Sequence, residues 1–377
     1  MFKGSENVAD GEHFRLLQDH GASVNGSTTE DRTNYYEVVP AHQMDLALYL
    51  ESDRMGFLLP ALTKEKLDNQ RDVVKNERRQ SYENQPYGRA HEILIGALFP
   101  PAHPHHWPVI GSMVDLSAAS LEDVRSFFRT YYTPANACIG LAGDFSTTAA
   151  LESAERYFGS IAGGPRPPHP VVPQVTLPDS HRLLLFDSVS LPRLYIIWHG
   201  PAMNSREDAV RDLLTNLLSV GRASRLYRSL VYRDRIAQSV HAYQDGMEEV
   251  GCTAIVVTAQ RGVRLSLIEE ALWREVEGIV HGHISTREFE AARNAAEMSL
   301  MDGRVSALQK ANGLVTYFTL TGEAENFNRS LARFDDIGVQ DLRETARELF
   351  SAHRVVLSVV PHGHPELAAA GSEVITG

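Results

Sequence analysis

Apolar positions along the chain change their spacing from stretch to stretch, and the changes mark helices and strands. Phe14, Leu16 and Leu17 give a short helix over Gly11–His20, ended by Gly21. Alternation of β-branched and aromatic residues in TNYYEVV predicts a strand over Thr33–Val39. Met44, Leu46, Leu48, Tyr49 and Leu50 give a helix over His42–Arg54 with a broad apolar face. Thr63 opens, and Pro86 stops, a long charged helix, KEKLDNQRDVVKNERRQSYENQP. A helix over Asp115–Tyr132 then leads into an apolar strand over Ala137–Ala142. Further on, strands are predicted at Leu183–Asp187, Leu194–Trp198, Gln238–Tyr243, Thr253–Ala259 and Val355–Val360. Helices are predicted at Asp208–Val220, Leu265–His281, Thr286–Leu308 and Gln340–Phe350.

This order contains a weak internal repeat. LEDVRSFFRTYYTPANACIGLA matches VQDLRETARELFSAHRVVLSVV, with Asp123 on Asp341 and Arg125 on Arg343. Each is a helix, a link and an apolar strand that closes its half. TKEKL at Thr63 pairs in the same way with TREFE at Thr286. The Pro- and Gly-rich stretch GGPRPPHPVVPQ, Gly163–Gln174, reads as an extended linker. The expected organisation is a first half over 1–162, a linker over 163–175 and a second half over 176–377. The expected fold class is α+β, as two tandem homologous halves, each an antiparallel-rich sheet covered by helices. Leu183–Asp187 and Leu194–Trp198 have no counterpart before Gly11, so the first half is expected to lack its opening strands.

Composition narrows the function. The 377 residues carry 48 acidic side chains against 36 Lys and Arg, a formal charge of −12, and no dense basic run. Nucleic acid is therefore discounted as a partner. No apolar run approaches the ~20 residues of a membrane helix. MFKGSENVADGEHF has no apolar stretch of the kind that marks a secretory leader, and any leader would lie upstream of Met1. The sequence leaves the compartment, cytoplasm or periplasm, open. Cys138 and Cys252 sit in apolar runs and read as small buried hydrophobes.

Sixteen histidines invite a search for a metal site. Neither H-E-x-x-H nor H-x-x-E-H occurs. His103-Pro104-His105-His106 is the densest group, and its prolines favour a solvated or hydrogen-bonded loop over a metal site. His13 and His20 are seven apart, too far to ligate from one helical turn. There is no G-x-S-x-G elbow and no phosphate-binding loop. Glu77 stands among Arg71, Lys75, Arg78 and Arg79 on the long helix. Taken alone it reads as part of a solvated face with i,i+4 ion pairs.

Three runs, MFKGSENVADGEHF, ASVNGSTTEDRTNYYEVVP and LDNQRDVVKNERRQSYENQPYG, resemble in order the zinc-bearing half of the pitrilysin/insulinase family, mitochondrial processing peptidase included. The likeness runs over nearly the whole chain. It implies two opening strands and a helix carrying H-x-x-E-H directly ahead of the MFKG stretch. The chain is thus expected to be truncated before Met1, with both histidine ligands and the general-base glutamate upstream. It implies Glu77 as the third zinc ligand, the one ligand of three in this chain. It implies that Asn25, Gly26, Ser27 and Thr28 form a sheet edge on which a peptide substrate adds as a strand, Gly26 letting its backbone come close. Many members carry a glutamate seven residues before the third ligand; here that position is Gln70.

In the second half, ASRLYRSLVYRDRIAQSV resembles the family stretch that supplies an Arg and, seven residues later, a Tyr to the active site. The matching positions are Val231 and Gln238, which supply neither cation nor phenol. The resemblance therefore implies the zinc-type subunit of a heterodimeric metalloendopeptidase acting on oligopeptides or extended segments. Its partner would be a related subunit carrying the Arg/Tyr pair, and the chain would be inactive as it stands. The alternative is a non-catalytic scaffold or assembly subunit.

Overall fold

The structure is a computed structural model, and it describes residues 2–169 and 171–375. Met1, at the head of the MFKG stretch, and Pro170, in the expected linker, lie outside the described residues. The chain forms two compact units that interleave in sequence. Unit 1 comprises 1–78, 109–171 and 303–327; unit 2 comprises 79–108, 172–302 and 328–377. The fold class is α+β, as expected.

Unit 2 is built on a six-stranded sheet. Its strands are β3 (His181–Asp187), β4 (Arg193–Gly200), β5 (Ala237–Asp245), β6 (Gly251–Ala259), β7 (Val355–Pro361) and β8 (Glu373–Val374), in the order β5-β6-β4-β7-β3-β8. Pairing is antiparallel from β5 to β7, while β3 runs parallel to β7 and to β8. Strand periodicity sorts the side chains onto two faces. Leu194, Ile196 and Trp198 of β4 enter one core with the helices Arg206–Ser219, Leu265–Val280 and Val339–Ser351. Tyr195 and Ile197 point the other way, toward the helix Ala90–Leu98. Both faces are covered, so β7 is apolar almost throughout, and all its residues but Pro361 are buried.

In unit 2 the His103–His106 group takes the hydrogen-bonded of the two expected forms, with Pro104 exposed. It folds as a turn in which His103 and His105 are buried, and the His103 Nδ1 accepts from the His105 backbone N–H at 3.1 Å. The His103 ring stacks on Phe99, 4.7 Å between centroids. Burial, with His105 and His199 nearby, pulls the His103 pKa down to about 4. The folded protein then holds this imidazole neutral, while the unfolded chain protonates it near pH 6.5. Unfolded chains take up more protons between those values, so stability is constant above about pH 6.5 and falls as pH drops toward 4. Urea unfolding at pH 7 and pH 5 is expected to show that loss, and His103→Gln is expected to shrink it. Equal pH dependence in the variant would rule His103 out as its source.

Unit 1 contains a two-stranded sheet, β1 (Ser23–Thr28) and β2 (Thr33–Val38), paired antiparallel with Asn25 opposite Tyr36 and Gly26 opposite Tyr35. Around it lie the helices Glu12–Asp19, Met44–Phe57, Lys64–Arg78, Leu121–Tyr131, Thr147–Phe158 and Ala307–Thr321. Ala137–Ala142, expected to be a strand, is not one. A strand exists only by pairing, and among the described residues no strand lies beside it. Its repeat counterpart β7 sits between β4 and β3, and unit 1 has no described equivalent of either. Cys138, expected to be buried, is exposed as a result, whereas Cys252 is buried in unit 2. The helix Ala307–Thr321 packs on this segment so closely that a Cβ at Gly140 would lie 2.4 Å from Val315 Cγ2.

Candidate metal and peptide site

The helix Lys64–Arg78 starts where Thr63 Oγ1 accepts from the Lys66 N–H at 3.2 Å. One face of it is tied down in unit 1. Arg71 donates to Asp68 Oδ1 at 2.5 Å and to the Ala119 carbonyl at 2.6 Å. Arg78 is buried and donates to the Gly111 carbonyl at 2.9 Å. Glu77 lies exposed, one residue before the last of the helix. Among the described residues no hydrogen bond or ion pair engages its carboxylate, so the i,i+4 pairs expected of a solvated face do not form at Glu77. Gln70 is half-buried two turns earlier on a similar heading. A π-helical turn, Arg79–Glu83, follows directly. Such turns are rare and often accompany functional sites.

Asn25, Gly26, Ser27 and Thr28 all lie in β1. Among the described residues β1 pairs with β2 alone, so one of its edges offers unpaired backbone groups to an added strand. The room that glycine leaves at position 26 faces across the hairpin. A Cβ there would lie 3.2 Å from Tyr35 Cδ1 and 3.3 Å from the Asn34 carbonyl. Gly26 therefore lets Tyr35 lie flat across β1.

Beside that ring, unit 1 gathers charged side chains that lie far apart in the sequence. His13 and His20 do not meet at a common site: His20 is exposed and bonds the Leu16 carbonyl at 2.7 Å. His13 Nε2 lies instead 3.2 Å from Glu37 Oε1 of β2 and 3.9 Å from Glu51 Oε1 of the helix Met44–Phe57. Arg54 binds the other oxygen of Glu51 and stacks over Tyr35, 3.6 Å from the ring centroid. Burial pulls the Arg54 pKa down to about 10, which leaves it charged at neutral pH. Burial and the 3.2 Å bond to Tyr132 raise that of Tyr35. The one sequence signal for this cluster is the strand alternation that puts Tyr35 and Glu37 on the same face of β2.

In unit 2, Val231 lies in a second π-helical turn, Tyr227–Arg233, and packs against the core. Gln238 is the exposed residue of a β-bulge, where the pairing of β5 with β6 slips between Ala237 and Ser239.

Residues 1–99 match the sequence profile of the insulinase peptidases, family M16, and residues 118–296 match that of the M16 peptidase inactive domain. The chain belongs to the pitrilysin/insulinase, or M16, peptidase family. It is 25% identical over 353 residues to the zinc protease PqqE of Helicobacter pylori, covering 93% of this chain and 78% of that protein. It is 22% identical to the uncharacterized zinc protease YmxG of Bacillus subtilis, over 97% of this chain and 87% of that one. A probable mitochondrial-processing peptidase subunit beta of Arabidopsis thaliana is 20% identical over 96% of this chain and 68% of its own length. Among solved structures, a protease from Helicobacter pylori superposes with a TM-score of 0.85 at 22% identity, covering 96% of this chain and 87% of that one. An M16 inactive domain from Pseudomonas fluorescens superposes with a TM-score of 0.83 at 15% identity, over 99% and 87%. These superpositions fix the fold.

The names of these relatives make zinc the metal of the family. A catalytic zinc takes three protein ligands and keeps one position open. Glu77 offers one carboxylate, and among the described residues it belongs to no group of three or more metal-binding side chains. The described residues around Glu77 therefore do not make a zinc site by themselves.

Proposed function

We propose that this M16 chain is the zinc-type subunit of a metalloendopeptidase that cleaves extended peptides together with a related subunit. The observation that carries the reading is Glu77: an exposed carboxylate, free of partners among the described residues, on a helix anchored by Arg71 and Arg78. Three charged neighbours within two residues either side, Lys75, Arg78 and Arg79, leave it unpaired. That suits a side chain held for a ligand from elsewhere. A segment carrying H-x-x-E-H ahead of Met1 would bring the two histidines and the general base. The free edge of β1 would align the substrate main chain, with Asn25 and Thr28 exposed beside it. Val231 and Gln238 supply no oxyanion donor at the two matching positions, which is why the reading includes a second subunit.

The same two positions support a second reading, a non-catalytic scaffold subunit, and one experiment separates them. The chain extended upstream by its own genomic reading frame is expressed alone and with its nearest paralogous neighbour, and cleavage of a quenched peptide library is compared. Zinc-dependent cleavage is expected from the pair, at least about 10²-fold above either subunit alone, the scale of one lost oxyanion donor. Full activity of the extended chain alone, as a monomer, would sink the two-subunit reading. No activity in any combination would leave the scaffold.

A further inference from the structure

We propose that His13, Glu37 and Glu51 form a Zn²⁺ site in unit 1, separate from Glu77. One nitrogen of His13 and one carboxylate oxygen from each glutamate lie within 4.8 Å of one another. The closer separations from His13 Nε2 are 3.2 Å to Glu37 and 3.9 Å to Glu51. Ligands on a tetrahedral zinc with bonds of about 2.0–2.1 Å stand about 3.3 Å apart, so the three side chains are close to the spacing the ion needs. The donor set is one imidazole and two carboxylates with no thiolate, which suits zinc at a three-ligand site.

The second observation is unmet hydrogen bonding. The side chains of His13 and Glu37 are 5% and 6% exposed. Glu37 Oε2 and Glu51 Oε1 are both buried without a hydrogen-bond partner among the described residues. A carboxylate oxygen taken out of water and left bare is costly, and such atoms are normally engaged. A proton on His13 does not solve this, because its single Nε2–H reaches one oxygen and Glu37 Oε1 already stands closest. A dication among the three groups engages both glutamates at once. Arg54 holds Glu51 Oε2, so Glu51 turns Oε1 toward His13, as partners of ligating carboxylates do in metal sites. Two carboxylates against one guanidinium leave a net negative charge for the cation. A cavity of about 10 Å³, room for about one water, reaches His13, though neither glutamate lines it.

The ion would join three elements of unit 1: the helix Glu12–Asp19, strand β2 and the helix Met44–Phe57. It does not depend on the peptidase reading. The test uses the full 377-residue chain, stripped with a chelator, with Zn²⁺ alone as the probe. Isothermal titration and metal content after dialysis are expected to give one equivalent bound by wild type and by E77Q. H13Q and E37Q are each expected to weaken binding at least tenfold while keeping the wild-type circular dichroism spectrum. If either fails to fold, E51Q takes its place. Absence of stoichiometric zinc on wild type overturns the proposal. So does binding that E77Q abolishes and E37Q leaves intact, a result that would place the ion at Glu77. Loss of peptidase activity in the extended chain leaves this measurement untouched, so the two readings fail separately.

Discussion

Given zinc and a quenched peptide library, the 377-residue chain by itself is expected to show no turnover that a chelator abolishes. Three deficits act together. Glu77 is one carboxylate where a catalytic zinc needs three protein ligands. No described group beside it serves as general base, a role worth about 10²–10⁴ in rate. Val231 packs against the core of unit 2 and Gln238 ends in an amide at the bulge, so these two positions supply neither cation nor phenol. Each missing oxyanion donor costs a further 10²–10³ or so. Losses of this size place any residual cleavage below the background of the assay. Turnover that both a chelator and Glu77→Gln abolish would overturn the argument. Zinc bound at His13, Glu37 and Glu51 does not alter this expectation, because the side chains of His13 and Glu37 are almost wholly buried and closed to a peptide.

The fold was legible where a strand has both neighbours within the chain. Leu194–Trp198 and Thr253–Ala259 emerged as β4 and β6, extended by one or two residues, because β4 lies between β6 and β7 and its alternation survives in the two cores. Ala137–Ala142 carries the same apolar pattern and forms no strand, since pattern specifies a face and pairing makes the strand. Two stretches expected to be single long helices are divided, for a local reason that the sequence does contain. Ser120 forms a capping box with Asp123 and starts a new helix inside the stretch expected to run over Asp115–Tyr132. Ser306 does the same with Gln309 and divides Thr286–Leu308. At the candidate site, the position of Glu77 on a long helix was readable. The meeting of His13 with Glu37 and Glu51 was not, because it depends on how a helix, a hairpin and a second helix pack. Of the two forms expected of the His103–His106 loop, solvated or hydrogen-bonded, the fold takes the second and stacks the His103 ring on Phe99, which a Pro- and His-rich stretch does not announce.

The other large effect lies in the core of unit 2. Trp198 is 1% exposed on β4, its ring edge-on to Phe350 at 5.6 Å and to Trp273 at 6.4 Å. Trp198→Ala removes the largest fully buried side chain from between the sheet and the helix Val339–Ser351, at a cost of about 3–5 kcal/mol. One feature moderates that figure. The indole Nε1 is buried with no hydrogen-bond partner among the described residues, so truncation also removes an unsatisfied donor worth about 1–3 kcal/mol. The expected loss is therefore near the lower end, about 3 kcal/mol. Trp198→Phe keeps an aromatic ring against Phe350 and discards the same donor, and is expected to cost less than about 1.5 kcal/mol. Urea unfolding of both variants gives the two numbers. Amide exchange gives their location: β4, β6 and β7 are expected to be the slowest segments of wild type and to speed up in Trp198→Ala. Ala137–Ala142 is expected to exchange fast in every variant, since its backbone groups find no strand among the described residues. An alanine variant as stable as the phenylalanine one would mean that the indole packs far more loosely than its burial indicates. Slow exchange over Ala137–Ala142 would mean that this segment does find a strand partner in solution.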